Sequence, residues 1–382
     1  MKKLFATILC CAMLVSVTAC SSDSGDNTEV TLQSATTSTE PIANIETDTK
    51  AEMTPDKIKE HIDGVLNQKK FEDFKGIIYL TQNGSVVYQS ATGKDDKGND
   101  LTLESSTYIG SVSKQFCATA IMMLKEQGKL NVDDTLDKYF PEYQYGKDIT
   151  IKNLLTMRSG IPNCNPIENA IFAEIDEYNT ENVLSCVFNQ PLNFEPDTSY
   201  EYSNPNYFIL ACIVEQVSGK EYQYFIRENI FEPLEMSNTG FANEITCDPE
   251  WATGLDYNTL VVEDSEIEIN IDDAISISKG AGDIVSNAYD MDKWMTGLVS
   301  GTLISRESYE EMSDNYTSEI AIRYGYGLER NYGGVCHSGN FEKYVTVDYI
   351  NENYGYNMFI SNNEYYVKLQ DLTFNILQPF IN

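Results

Sequence analysis

Two β-prone runs, Gly76-Ile-Ile-Tyr-Leu-Thr-Gln and Ser85-Val-Val-Tyr-Gln-Ser, face each other across Asn83-Gly84. Asn-Gly tolerates the positive backbone angles of a two-residue turn, so these runs predict an antiparallel hairpin near the start of the folded part. Further β-prone runs, rich in Tyr, Val and Ile, lie at the far end, at 324–329, 342–350 and 355–361. The stretch from roughly 130 to 300 reads as mostly helical, clearest at 150–157, 207–217 and 288–299, with Asn287 and Asp290 as a capping pair for the last. Thr54 and Pro55 open a helix carrying Ile58, Ile62, Val65 and Leu66 at helical spacing, and 366–378 reads as a final helix. The expected fold class is α/β of the α+β kind. One antiparallel sheet from both termini is flanked by helices, with a mostly helical region inserted.

The ends suggest export. Lys2 and Lys3 precede an apolar run, Leu4 to Val17, too short to be a comfortable membrane span. It closes on Val17-Thr18-Ala19-Cys20, which resembles the lipobox of bacterial lipoproteins. Residues 1–19 are then a signal peptide, and Cys20 the lipidated residue of an extracytoplasmic, membrane-anchored protein. Residues 21–54 hold 13 Ser or Thr and 7 acidic residues against a single Lys50, the composition of a disordered tether. The remaining 55–382 suffices for one large core or for two subdomains sharing a cleft.

The net charge of −33 argues against nucleic acid or anionic lipid heads as partners. The expected partner is a small-molecule or peptide substrate, with the membrane reached through the lipid alone. Six Cys follow Cys20, none spaced as CxxC, so zinc and iron–sulfur sites are not expected. Cys117 and Cys212 lie in apolar runs and read as core residues, and no dominant disulfide framework is expected. Only two His occur, which excludes a His-rich metal site; no cofactor is implied. His61 reads as helical packing. There is no GxSxG elbow to accompany a Ser-His-Asp triad.

The chemistry concentrates at Ser111-Val-Ser-Lys114, in the first turn of a helix over 111–127 that is apolar around most of its circumference. Positions i and i+3 share a face, so hydroxyl and amine can touch. A Ser needs an adjacent base, and Lys becomes one when burial and a helix N-terminus lower its pKa. Ser276-Ile-Ser-Lys279 repeats the spacing but runs into Gly280-Ala-Gly282 with no buried helix after it, and is expected to be a decoy. Tyr202-Ser-Asn204 is the second element: a Tyr near Lys can move protons, and an Asn amide can orient Lys and substrate. The third is His337-Ser-Gly339, where Gly would let substrate approach the backbone.

Together SxxK, YxN and HxG, in this order and separation, resemble the serine β-lactamase and penicillin-binding-protein-like superfamily. The likeness is closest to its class C β-lactamase-related branch of D-alanyl-D-alanine carboxypeptidases, D-aminopeptidases and esterases. Further stretches carry the resemblance, among them Ile151-Lys-Asn-Leu-Leu-Thr-Met-Arg-Ser-Gly160, Gly280-Ala-Gly-Asp-Ile-Val-Ser286 and Tyr324-Gly-Tyr-Gly327. It implies a helical subdomain facing an α/β subdomain, with the site in the cleft between them. It implies that Ser111 is acylated, that Lys114 and Tyr202 shuttle protons, and that Asn204, His337, Ser338, Gly339 and Asn340 serve substrate binding. The oxyanion hole would be the backbone N–H groups of Ser111 and Asn340. His337 stands where many relatives carry Lys, Met157 where relatives often have His, and Asn340-Phe341 where a second small residue is common. Two function classes follow: a hydrolase of a small ester, D-amino-acid peptide or β-lactam-like substrate, or a non-catalytic or slowly turning over penicillin-binding sensor of the envelope. Within the first, Lys114 with Tyr202 is expected to be the base and His337 only to shape the cleft, because Lys114 is one helical turn from Ser111 whereas His337 arrives from a distant strand.

Overall fold

The computed structural model describes residues 53–163, 177–246, 252–255, 275–317, 323–364 and 368–380. The expected signal segment 1–19, the expected lipidation position Cys20 and residues 21–52 of the expected tether lie outside them. Helix α1 (Pro55–Leu66) starts as anticipated, with the Thr54 side chain accepting from the Lys57 N–H and Pro55 in the first turn. Strands β1 (Gly76–Gln82) and β2 (Ser85–Thr92) form the hairpin, and Asn83 and Gly84 take φ of 49° and 76°. Both angles are positive, as a turn matched to strand twist requires.

The C-terminal part supplies β6 (Glu329–Asn331), β7 (Gly334–Phe341), β8 (Tyr344–Asn351) and β9 (Tyr356–Asn362). The sheet order is β2-β1-β9-β8-β7-β6, with every pairing antiparallel, so the two ends of the folded part join at β1 and β9. Alternation gives the sheet two faces. Ile78, Leu80, Val347, Met358 and Ile360 pack on α1 and on the last helix, Leu369–Leu377. Ile77, Tyr79, Val335, Ile350 and Phe359 face the larger core, built around α2 (Ser113–Glu126). A small second sheet joins β3 (Thr107–Tyr108), β5 (Ile284–Ser286) and β4 (Gly240–Phe241), in that order.

The inserted region is helical: Ile151–Leu155, Asn204–Ser218, Tyr222–Ile226 and Ala288–Val299 are among its helices. Asn287 accepts from the Asp290 N–H as the capping pair requires, but the Asp290 carboxylate turns to the Asn238 N–H and the Thr239 hydroxyl. Two strand assignments need correction. Residues 324–329 form a glycine-bearing turn, bridged between Tyr324 and Glu329, because the backbone must pass close to neighbours. A Cβ on Gly325 would meet Met312 O at 2.2 Å, and one on Gly327, at φ 69°, Lys114 O at 2.8 Å. The run 342–350 begins as the β7–β8 turn, where Glu342 adopts φ 51°, and the HxG motif itself lies on β7.

Every residue of α2 from Ser113 to Leu124 is buried. Its polar members are paired, as burial demands. Gln115 donates to Asp348 Oδ1 (3.0 Å) and accepts from Trp294 Nε1 (2.8 Å), and Ser113 Oγ accepts from the Ile284 N–H (3.2 Å).

Candidate active site

Ser111 sits on a single 3-10 turn, Gly110–Val112, that feeds directly into α2. Gly110 takes φ 50°, and a Cβ there would lie 2.6 Å from Asn340 N, so the turn lies directly against β7. A Cβ on Gly339 would fall 1.9 Å from Ile109 O. The space at Gly339 is therefore filled by the protein's own Ile109 carbonyl, which also accepts from Thr346 Oγ1 (2.9 Å). That corrects the expectation that this glycine opens room for substrate. Gly110 and Gly339 together bring Ser111 and the Asn340 backbone alongside each other.

Lys114 is fully buried, and its Nζ has three partners. These are Ser111 Oγ at 2.9 Å, Asn204 Oδ1 at 2.7 Å and Ala281 O at 2.7 Å. Two are carbonyl oxygens, which can only accept. They take two N–H bonds, so a neutral amine turns its one lone pair toward the Ser111 hydroxyl. Burial pushes the Lys114 pKa down to about 7, while Cys117 and Asp283 hold it up. Desolvation disfavours the charged form, so the amine is poised near neutrality. The Tyr202 and Tyr207 rings lie 4.8 and 5.7 Å from Nζ and offer their electron-rich faces to the cationic form.

Asn204 opens its helix, and its N–H donates to Asn163 Oδ1 at 3.0 Å. Met157, buried at φ 60°, accepts on its sulfur from Ser203 N (3.3 Å) and Asn206 Nδ2 (3.6 Å). The residue where relatives often carry His thus anchors the segment that bears Tyr202 and Asn204.

His337 is 1% exposed. Its Nδ1 lies 2.6 Å from Ser338 O and its Nε2 3.1 Å from the Tyr324 hydroxyl. A carbonyl only accepts, so Nδ1 carries the proton and Nε2 accepts from Tyr324. Burial and the nearby Lys114 press its pKa down to about 3. His337 is a neutral ring with both nitrogens engaged, and neither is left to take a proton from Ser111. Ser338 points to the opposite sheet face, where its hydroxyl accepts from Gln370 Nε2 at 3.4 Å. That corrects its place among substrate-binding side chains: successive strand residues alternate, and His337 takes the inner face. Asn340 has an exposed side chain and contributes its backbone beside Gly110.

Two participants had no role in the sequence reading. Ala281 supplies a carbonyl to Lys114, and Asp283 is a buried carboxyl pushed up to about 7 by desolvation. The Gly280-Ala-Gly-Asp stretch was the available signal, since a glycine-rich turn lets a carbonyl approach a side chain. Cys117, Cys212 and Cys336 are buried free thiols, while Cys164 and Cys247 lie outside the described residues. His61 is part-buried, its Nε2 3.0 Å from Asn375 O on the α1 side of the sheet.

In the second SxxK, Lys279 donates to Glu215 (3.1 and 3.2 Å) and Thr180 Oγ1 (2.9 Å), and Ser276 is exposed. The amine is spent on an ion pair. Ser276→Ala should leave turnover within a few-fold of wild type; a loss as deep as that of Ser111→Ala would identify the wrong serine.

The Beta-lactamase family matches residues 65–374. The putative penicillin-binding protein PbpX of Bacillus subtilis is 32% identical over 296 residues, 74% of this chain and 71% of that protein. Protein flp of Staphylococcus aureus is 26% identical over 76% of this chain, which spans 60% of flp's length. D-amino acid amidase from Ochrobactrum anthropi SV3, solved with D-phenylalanine, superposes with a TM-score of 0.69 at 24% identity, covering 85% of this chain and 99% of the amidase. At that identity the likeness shows the same fold.

Proposed function

This chain belongs to the Beta-lactamase family, a serine hydrolase family, and from that premise we propose that it forms an acyl-enzyme on Ser111 with Lys114 as the base. The substrate would be a small ester, a D-amino-acid peptide or a β-lactam-like compound. The observation that carries this reading is the buried Lys114 amine, 2.9 Å from Ser111 Oγ and held by two obligate acceptors.

Ser111 Oγ attacks the acyl carbonyl as its proton passes to the Lys114 lone pair. The new C–O bond converts the carbonyl oxygen to an oxyanion, which the Ser111 and Asn340 N–H groups would receive. The leaving group departs with the proton, returned through Lys114 or Tyr202. Water then attacks the ester, breaks the acyl–Oγ bond and restores the serine. The Gly110–Asn340 contact supports the paired donors, and the Tyr202 ring beside Lys114 supports its share in proton movement.

The test is intact-mass and peptide mapping after exposure to a fluorophosphonate and to a fluorescent β-lactam. An adduct on Ser111, with turnover of nitrophenyl esters, D-alanyl-D-alanine peptides or nitrocefin, is the expected result. An adduct without turnover favours the sensor reading. No adduct at Ser111 refutes both.

We also propose that Cys20 is lipidated and holds the protein at the outer face of the membrane. The apolar Leu4–Val17 run, the small residues before Cys20 and the tether composition support this. Cys20→Ala should release the protein to the medium or leave it unprocessed; unchanged retention and mature mass would exclude the anchor.

A further inference from the structure

We propose that this site selects acyl substrates whose leaving portion is uncharged over those ending in a carboxylate. The proposal rests on the reading that Ser111 is acylated, and narrows it to neutral esters, thioesters and amides.

A carboxylate drawn into a cleft must be met by a cation or by several donors, because leaving it unpaired is costly. The cations on the segments that build the site, Arg323 apart, already have partners. Lys114 Nζ is fully engaged by Ser111 Oγ, Asn204 Oδ1 and Ala281 O. His337, on the strand opposite Ser111, is an uncharged ring enclosed by Ser338 O and the Tyr324 hydroxyl. Lys343, in the turn after β7, pairs with Asp96 at 2.8 Å. Lys279 pairs with Glu215 at 3.1 Å, and Arg158 with Asp197 at 2.7 Å. Arg330 donates to Ser313 O. Arg323 is exposed, next in sequence to Tyr324, whose side chain is buried beside His337.

Composition extends the account to the segments after residue 52 that lie outside the described residues; residues 1–52 carry Lys2, Lys3 and Lys50. Residues 164–176, 247–251, 256–274, 318–322, 365–367 and 381–382 contain no Lys, Arg or His, and thirteen Asp or Glu. No cation can reach the site from them. At a net charge of −33 the field of the whole chain also opposes an approaching anion, and this component weakens with salt.

The discriminating substrates are an N-acyl-D-alanyl thioglycolate and its carboxamide, which differ only in the charge on the leaving thiol. Released thiol reports kcat/KM for each at low and moderate salt. The expected result is a preference for the carboxamide of about tenfold or more, the scale of one missing charge-assisted contact. Salt should reduce the preference without abolishing it. Arg323→Gln should leave the ratio unchanged; if it raises the ratio several-fold, Arg323 is a carboxylate ligand and the proposal fails. A ratio of one or below also overturns it, as does inertness of both thioesters while fluorophosphonate still labels Ser111. Loss of labelling as well would instead bring down the acyl-enzyme reading on which the proposal stands.

Discussion

Lys114→Met should lower kcat/KM by about 10²–10⁴-fold, the usual worth of a general base, while the protein remains folded. The variant keeps the side-chain volume and removes only the amine that faces Ser111 Oγ. Because nucleophile and base act as a unit, Lys114→Met added to Ser111→Ala should cost little more than Ser111→Ala alone. In the wild type, acylation should rise with pH through about 7, since the amine must lose its proton before it can accept one. Asp283→Asn removes a charge that holds this pKa up, so it should move the rise to lower pH.

Stability tests the same assignment by a separate route. The Lys114 pKa falls from 10.5 to about 7 on folding, so between those values the unfolded chain binds the extra proton. The destabilising contribution is complete below about 7 and fades as pH rises toward 10.5. A fall of that size corresponds to roughly 5 kcal/mol. Losing the amine also strips Asn204 Oδ1 and Ala281 O of a donor, at roughly 1–3 kcal/mol each. The two effects nearly cancel, so the urea midpoint of Lys114→Met at pH 6 should stay close to wild type. His337→Asn should reduce acylation less than Lys114→Met. If His337→Asn abolished acylation and Lys114→Met did not, the lysine mechanism would be wrong.

Gly339→Ala should damage both folding and acylation, although its side chain adds a single methyl. That methyl would lie 1.9 Å from Ile109 O and 2.6 Å from Thr346 Oγ1. Neither neighbour can give way freely: Ile109 leads into the Ser111 turn, and Thr346 lies on β8 with its hydroxyl bonded to Ile109 O. Overpacking of this kind costs about 3 kcal/mol, at the upper end of the usual range, because the contact is with backbone. What remains folded should label slowly with fluorophosphonate, since Ser111 is displaced from Asn340. Gly64→Ala is the matched control, because it meets nothing within 4 Å inside α1 and should gain about 0.5–1 kcal/mol. Wild-type stability and labelling for Gly339→Ala would mean that β7 does not hold the turn in place.

The local parts of the structure were readable from the chain alone. Asn83-Gly84 specifies its own turn, Thr54-Pro55 its own helix start, and Ser111 and Lys114 meet because three residues separate them. The sheet built from both ends was also legible, because β-prone runs had nowhere else to pair. Tertiary structure decided the rest, and for one reason: each undecided property depends on what distant segments bring. Lys114 acquires the lowered pKa that the proposed base needs through burial, and its amine is held by acceptors 90 and 167 residues away. His337 is silenced by Tyr324, and Ser338 is turned away by the register of β7. The Tyr-rich run 324–329 yields its strand propensity to the glycines that let it press on Met312 and Lys114. Residue types and spacings name the groups that can react, but desolvation and close backbone approach are properties of the packed chain, and they determine which of those groups do.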